Sequence, residues 1–270
     1  MVTRIIKTKA KQIYTKTKIP SIDYVLNHYV GCEHACTYCY AKFMCRWKSH
    51  GKWGSWVEAK MNAPELVKKF VDGGVVMCSV SDLYQPIEKE LELTRQILQN
   101  MDKRTKLNIL TKSDLVLRDI DLFKKFGKLQ VGLTINTFSG KAKKLFEPYS
   151  PKNEARLDAL KILKKNGIKT HGFISPVIPG LIDLESLIAK SREFVDYYIV
   201  EIINMNAAGY EFKKLLRENY PESYAIASDR EKFKEFVEET KEILKKSRVK
   251  VLQFVTHYPK FEVINLNPHQ

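Results

Sequence analysis

Disulfide staples, membrane spans and flexible linkers are all missing from this sequence. Its 270 residues hold only five cysteines, an odd number and too few for a disulfide scaffold. A chain of this length buries enough of its own surface to be stable without them. No stretch approaches the roughly 18 to 20 apolar residues that span a bilayer. The basic opening MVTRIIKTKAKQIYTKTK lacks the apolar centre of a secretory signal. The expectation is a cytoplasmic protein with no membrane partner, whose thiols stay reduced and open to metal binding. Acid is scarce as well: 31 Asp and Glu face 46 Lys and Arg, a formal net charge of +15. That surplus favours approach to nucleic acid or another polyanion, although a lysine-rich surface can have the same composition. Residues 1–18 carry six basic residues and no acidic one, the densest candidate patch.

What is present alternates. Short apolar runs read as buried strands at Val75–Ser79, Leu107–Thr111, Gln130–Thr134, Lys169–Ile174 and Tyr197–Ile203, with another near Tyr24–Tyr29. Helical patterns fill the intervals at Pro64–Phe70, Glu88–Asn100, Asp119–Phe126, Asn153–Asn166 and Asp183–Phe194. Asn153 is placed to cap the fourth of these, Gly167 follows its end, and Leu157, Leu160 and Leu163 share a face. Strands alternating with helices imply an α/β fold with a parallel sheet, either open or a partly closed barrel of six βα units. A further strand is predicted at Val249–Val255. With no Gly/Ser linker or repeat, the expectation is a single domain over 1–270: a basic arm at 1–23, a core at 24–206, and a helical segment with a strand at 207–270. Working residues should gather at the carboxyl ends of the strands.

Just past the first strand, residues 31–40 read GCEHACTYCY, three of the five cysteines within eight residues. Thiolates are soft donors for zinc or iron–sulfur chemistry. A closed zinc site needs a fourth ligand, for which His34 or Cys45 is available. Three thiolates on one loop can instead hold three irons of a [4Fe-4S] cube and leave the fourth open. The spacing C-x3-C-x2-C, with an aromatic before the last cysteine, resembles that of the radical S-adenosylmethionine enzymes. GCEHACTYCYA, SDLYQPIE from Ser81, TKSDLVLRD from Thr111, EPYSPKNEARLDAL and SPVIPGLID resemble segments of its spore photoproduct lyase-like branch.

That resemblance implies a partial (βα)6 TIM-like barrel. It implies a [4Fe-4S] cluster on Cys32, Cys36 and Cys39, and S-adenosylmethionine (SAM) cleaved reductively to a 5′-deoxyadenosyl radical that takes hydrogen from the substrate. A reducing partner such as flavodoxin or ferredoxin follows. Tyr38 and Tyr40 are expected around the cluster and cofactor. Lys112 is expected at the methionine carboxylate, and Thr134, with Asn136 more weakly, near the cofactor. In the lyase a cysteine followed closely by Ser-Asp returns a hydrogen atom to the product radical. Cys78 is the candidate for that role, although one additional residue separates it from Ser81-Asp82, so Ser79 is the alternative inward residue. Glu147 and Arg156 are expected to form an internal ion pair or loop anchor.

Other assignments rest on position. Glu201 lies within a strand pattern and should face the barrel interior to meet cofactor or substrate, since burying it unpaired is costly. Asn204 and Asn206 are candidate substrate donors. Tyr84 and Gln85 are expected to meet substrate, Asp82 to cap a turn and Glu88 to begin a helix. The run FMCRWKSHGKWGSW, with Arg46, Lys48, Lys52 and three tryptophans, suits base stacking and phosphate neutralisation, or shielding of the cluster. The leading expectation is a nucleic-acid or nucleotide-derived substrate. The alternatives are a small metabolite or peptide, and a non-enzymatic metal-stabilised nucleic-acid-binding module.

Overall fold

The computed structural model describes residues 3–266. Its strands are β1 (Arg4–Thr8), β2 (Tyr14–Lys16), β3 (Tyr24–Leu26), β4 (Tyr29–Val30), β5 (Trp56–Lys60), β6 (Gly74–Met77), β7 (Lys106–Thr111), β8 (Lys128–Ile135), β9 (Lys169–Val177), β10 (Tyr197–Ile202), β11 (Val251–Thr256) and β12 (Glu262–Ile264). Nine form one sheet in the order β12-β11-β10-β9-β8-β7-β6-β3-β2. From β3 to β11 every neighbouring pair is parallel, while β2 and β12 pair antiparallel at the two edges. The six anticipated strands are therefore β3 and β6–β10, arranged as a partial barrel, and β11 is the additional strand.

Strand pleating sorts the residues onto two faces. In β7, Leu107, Ile109 and Thr111 point to the helices and are buried, whereas Asn108 and Leu110 are only half-buried. The same half-burial marks Val76, Phe173, Ile199 and Glu201, so the inner face lines an accessible lumen. The outer face carries the apolar core, a cluster running from Ile13 through Leu107, Val131 and Ile174 to Phe254.

Several local expectations are corrected. The basic arm carries strands that the sequence reading does not place: β1 pairs in parallel with β5, which pairs antiparallel with β4 in a second, three-stranded sheet, and β2 forms a hairpin with β3. Residues 1–2 of that arm, and 267–270 of the C-terminal segment, lie outside the described residues. The pattern at 88–100 makes two helices, Glu88–Leu91 and Leu93–Asn100, separated by Glu92 in a left-handed conformation. The Glu88 carboxylate folds forward to accept the amide N–H groups of Thr94 at 3.0 Å and Arg95 at 3.3 Å, capping the second helix from outside it. Asn153 is not a cap. Lys152 holds that position, and Asn153 accepts the amide of Asn136 at 2.9 Å.

The end of helix Asn153–Lys165 is as read. Gly167 takes φ 77°, with Ile168 N–H on the Leu163 carbonyl at 3.2 Å and Gly167 N–H on that of Lys164 at 3.0 Å. Beyond β10, helices Met205–Asn219, Pro221–Ser228 and Arg230–Ser247 lead to β11. Among the described residues, no helix is long and apolar enough to cross a membrane.

Candidate active site

The cysteine loop leaves β4 at Gly31, whose φ of 88° and close approach to Trp56 leave no room for a Cβ (2.5 Å from the Trp56 carbonyl oxygen). Two tight turns wind it, Ala35 N–H to the Cys32 carbonyl and Cys39 N–H to that of Cys36, both 3.2 Å. Cys32 and Cys36 are buried, Cys39 is partly buried, and none is in a disulfide. The loop is braced from the turn after β6. Gln85 accepts the Glu33 amide at 2.9 Å, its own amide donates to the Gly31 carbonyl at 3.3 Å, and Glu33 accepts the Ile87 amide at 2.6 Å. Gln85 and Tyr84 are thus enclosed, with Tyr84 donating to Asp119 at 2.9 Å. They support the loop, and the expectation that they meet substrate is not met. Asp82 does cap its turn, accepting Tyr84 N–H at 2.9 Å, and it also accepts Lys112 N–H at 2.8 Å.

Burial pushes all three thiols up, Cys36 to about 12, with neighbouring sulfurs adding to the effect at Cys32 and Cys36. The protein alone therefore holds them as thiols. A bound metal supplies the positive charge that deprotonates them, and this buried, soft donor set fits an iron–sulfur group. Among the described residues no three His, Cys, Asp or Glu side chains converge on one ion-sized point. His34 Nδ1 is buried without a hydrogen-bond partner, 3.5 Å from Asp82, and burial lowers its pKa to about 4. Cys45 sits off the loop in helix Met44–Trp47.

Facing the loop across the lumen, Lys112 follows the end of β7. Its Nζ is 3.5 Å from Thr134 Oγ1 on β8 and 5.8 Å from the Tyr38 ring centre. Desolvation works against the ammonium, but Cys36 once ionised, Glu147 and Asp82 together outweigh it and raise the pKa. Among the described residues no carboxylate lies within ion-pair distance of this ammonium. Glu147 is already engaged: Arg156 and Tyr38 donate to it, as does Asn136 at 3.0 Å. The ion pair anticipated for Glu147 and Arg156 is present and fully buried. Asn136 is tied into it, so its amide is committed to structure. Thr134 is buried, its hydroxyl beside Lys112.

The opposite rim holds Ser79, Tyr40 and Glu201. Ser79 N–H donates to Asn27 at 2.8 Å, and the Tyr40 hydroxyl donates to the Ser79 carbonyl. Glu201, half-buried, accepts from Ser175 Oγ at 2.8 Å and contacts His257 Nε2 at 2.9 Å. The left-handed backbone of Cys78 (φ 59°) turns it out of the strand alternation, and its Sγ lies 3.5 Å from buried His28 Nδ1. Asn204 caps helix Met205–Asn219 through the amides of Asn206 and Ala207, which leaves Asn206 exposed. In the tryptophan run, Trp56 is fully buried, and Lys48 pairs with Glu58 at 2.9 Å. The exposed aromatics are Tyr40, Phe43 and Trp47, in successive ring contact at 6.4 and 5.6 Å. His28, Asn27 and His257 were not foreseen. His257 follows the end of β11, so the carboxyl-end rule applied to that strand would have found it.

Comparison with known proteins agrees with this geometry. A family model described as Radical SAM superfamily matches residues 26–188. An uncharacterized protein of Methanocaldococcus jannaschii is 54% identical over 94% of this chain and 98% of its own length. An uncharacterized protein of Acidianus two-tailed virus is 28% identical over 59% of this chain and 57% of its own. Among solved structures, spore photoproduct lyase with bound AdoMet and dinucleoside spore photoproduct superposes with a TM-score of 0.57 at 16% identity. That match covers 80% of this chain and 66% of the lyase. At this identity it is a likeness of fold.

Proposed function

The chain belongs to the radical SAM superfamily, and we propose that it cleaves SAM at a [4Fe-4S] cluster held by Cys32, Cys36 and Cys39. The observation that carries this reading is the half-buried Lys112 ammonium, which lies near Cys36 and has no carboxylate within ion-pair distance among the described residues. A SAM carboxylate supplies the missing partner through a charge-assisted hydrogen bond. When bound, the cluster supplies the electron that cleaves the S–C5′ bond and releases a 5′-deoxyadenosyl radical. The protein's part is placement. Gln85 and Glu33 fix the loop, Arg156 fixes Glu147, Glu147 fixes Tyr38, and the Tyr38 ring and Thr134 hydroxyl flank Lys112. Tyr40, Ser79 and Glu201 form the opposite wall, where substrate meets the cofactor. Cys78, turned onto His28, is not among the groups given to substrate in this reading. An acidic one-electron donor such as flavodoxin or ferredoxin suits the basic chain.

For the substrate we favour a nucleic acid or a nucleotide derivative. The net charge of +15 supports it, as does the exposed Tyr40–Phe43–Trp47 ladder beside the cysteine loop. Stacking on such rings contributes roughly 1 to 3 kcal/mol per base. The lyase of like fold binds a dinucleoside photoproduct. Two tests separate the parts of this reading. Anaerobic iron counting should find a full cluster in Cys45→Ala and a deficient one in each of Cys32→Ala, Cys36→Ala and Cys39→Ala. A full cluster in Cys36→Ala refutes the ligand set. Anisotropy with single-stranded oligonucleotides across a salt series should give a steep salt slope, and Trp47→Ala should weaken binding without flattening it. Binding no tighter than to a generic lysine-rich protein refutes the nucleic-acid substrate and leaves the radical chemistry standing.

A further inference from the structure

The parallel register stacks the lumen side chains in layers. Lys112, Thr134 and Glu201 belong to the upper layers at the carboxyl ends. At the opposite end Lys106 pairs in register with Lys128, and Asn108 with Gln130, which pairs in turn with Lys169. Between the two ends lies His171. A Cβ on Gly132 would meet its Nε2 at 2.1 Å, so only glycine leaves room for the ring. The ring stacks on Tyr197 at 5.1 Å with 7° between planes, and both are buried. This pair is a floor between the cysteine end and the amino-terminal end.

Below the floor the amino-terminal rim opens into a cavity of about 860 Å³. Lys106, Lys124, Lys128 and Lys169 line it, and Asp23 is the one acid among the lining residues. Asp23 is already engaged, accepting Gly74 N–H at 2.6 Å. Lys124 donates to Asn166 at 2.8 Å and Lys169 lies over the Tyr197 ring, 5.8 Å from its centre. Lys106 and Lys128 are neighbours across two paired strands, a like-charge contact that an anion between them would relieve. Asn108, also in the lining, has its Oδ1 buried with no hydrogen-bond partner among the described residues. A buried acceptor left open in this way is rare in folded proteins. The cavity thus offers two cations to an oxyanion and, once the Asn108 amide turns its buried Oδ1 toward the opening, one acceptor to a hydroxyl or N–H donor.

We propose that this cavity binds a small phosphorylated molecule, with its phosphate between Lys106 and Lys128 and a hydroxyl of its body donating to Asn108. The site is separated from the cysteine loop by the His171–Tyr197 floor and does not depend on the radical chemistry proposed above. Calorimetric titration of the 270-residue, cluster-containing chain with inorganic phosphate and with ribose 5-phosphate, at constant ionic strength, tests it. Saturable one-site binding is expected, tighter for the sugar phosphate. Lys106→Gln/Lys128→Gln should weaken both by roughly tenfold to a hundredfold. Asn108→Ala should erase the preference for the sugar phosphate, and Lys112→Met should change neither. Both lysines are exposed, so the double variant should melt like the native protein. Three results overturn the proposal: unsaturable binding, affinity unchanged in the double variant, or affinity lost in Lys112→Met. So does a double variant that loses oligonucleotide binding while neither phosphate saturates, since the lysines would then serve a nucleic-acid backbone.

Discussion

Two buried ionic networks lie on either side of the turn after β6, and they differ in how their charges balance. Behind the site, Arg118 pairs with Glu88 at 2.6 Å and Asp119 at 2.9 Å, and Arg95 pairs with Asp119 at 2.7 Å. Both carboxylates are fully buried, and both guanidinium groups reach partly into solvent. Tyr29 and Tyr84 add hydroxyl donors at 2.6 and 2.9 Å, so every charge in this network has its partner. At the site, Arg156 and Glu147 form a pair with neither side chain exposed, and Lys112 stands beside it as an additional cation without a carboxylate. The closed network is architecture. The network whose ammonium has no carboxylate at ion-pair distance among the described residues is where a charged ligand fits.

The largest expected effect sharpens that contrast. Arg156→Met strands the fully buried Glu147 carboxylate, and breaking such a buried pair costs about 3 to 5 kcal/mol. Arg118→Met should cost about 1 to 3 kcal/mol, because water reaches the vacated edge and Arg95 still holds Asp119. Urea unfolding of both variants decides it. If Arg118→Met were the more damaging, the ranking of the two networks would be reversed.

Acid should expose the same pair. Burial alone would raise the Glu147 pKa, but Arg156 and Lys112, with the hydrogen bonds from Arg156 and Tyr38, hold it down at about 2. Its folded pKa lies below the unfolded value near 4.3, so its contribution is fully present above about pH 4.3 and is lost as pH falls toward 2. His28 and His171 act over a wider window. Burial lowers each to about 3, so the unfolded chain takes up protons first and stability declines as pH falls below about 6.5. Glu147→Gln should therefore flatten the stability curve below about pH 4.3 and leave the slope above it. An unchanged lower limb would mean that Glu147 enters the folded state neutral.

Lys112→Met comes next in size. It removes an ammonium that Glu147 and Asp82 favour in the folded state and that helps keep Glu147 ionised, so it should lower the melting temperature slightly, while weakening SAM binding roughly tenfold to a hundredfold. Calorimetry on reconstituted protein reads both. Full SAM affinity in this variant would place the carboxylate elsewhere.

How much of this was legible in the sequence follows from the range of the interactions. The six barrel strands, the additional β11 and the Gly167 helix end depend on periodicity and local turn chemistry, and they appear where the pattern put them. The cysteine loop was legible as a spacing. Sequence reading points the Glu201 carboxylate into the lumen toward cofactor or substrate, whereas its protein contacts, Ser175 and His257, lie 26 and 56 residues away and gave no local signal. Tyr84 and Gln85 misled because a polar turn at a strand end reads as substrate-facing, whereas their partners Asp119 and Gly31 come from distant segments. The strands of the basic arm went unread for a related reason. Charge density says nothing about pairing, and alternate residues of β1 can be exposed while its backbone completes a sheet. The capping of Leu93–Asn100 by Glu88 needs a break at Glu92 that no propensity signals.

The smallest expected effect concerns Cys78. Thr94 donates its hydroxyl to the Leu83 carbonyl at 2.6 Å, so at its 2.8 Å contact with His28 Nε2 it accepts. Nε2 therefore carries the imidazole proton, and Nδ1 is left to accept from the Cys78 thiol at 3.5 Å. The S–H group is thus directed at a buried, neutral histidine, away from the Ser79 and Tyr40 rim. Cys78→Ala should cost about 1 kcal/mol for the lost contact and leave the rate of 5′-deoxyadenosine formation unchanged. Ser79→Ala, on the lumen rim, should alter that rate while barely changing stability. A hydrogen-donating thiol would behave in the opposite way, since its loss leaves the product radical unquenched and changes how much SAM is consumed per turnover. Reductive SAM cleavage assays on the two variants, with melting curves beside them, separate the alternatives. A changed rate in Cys78→Ala with native stability would return that thiol to the reacting centre.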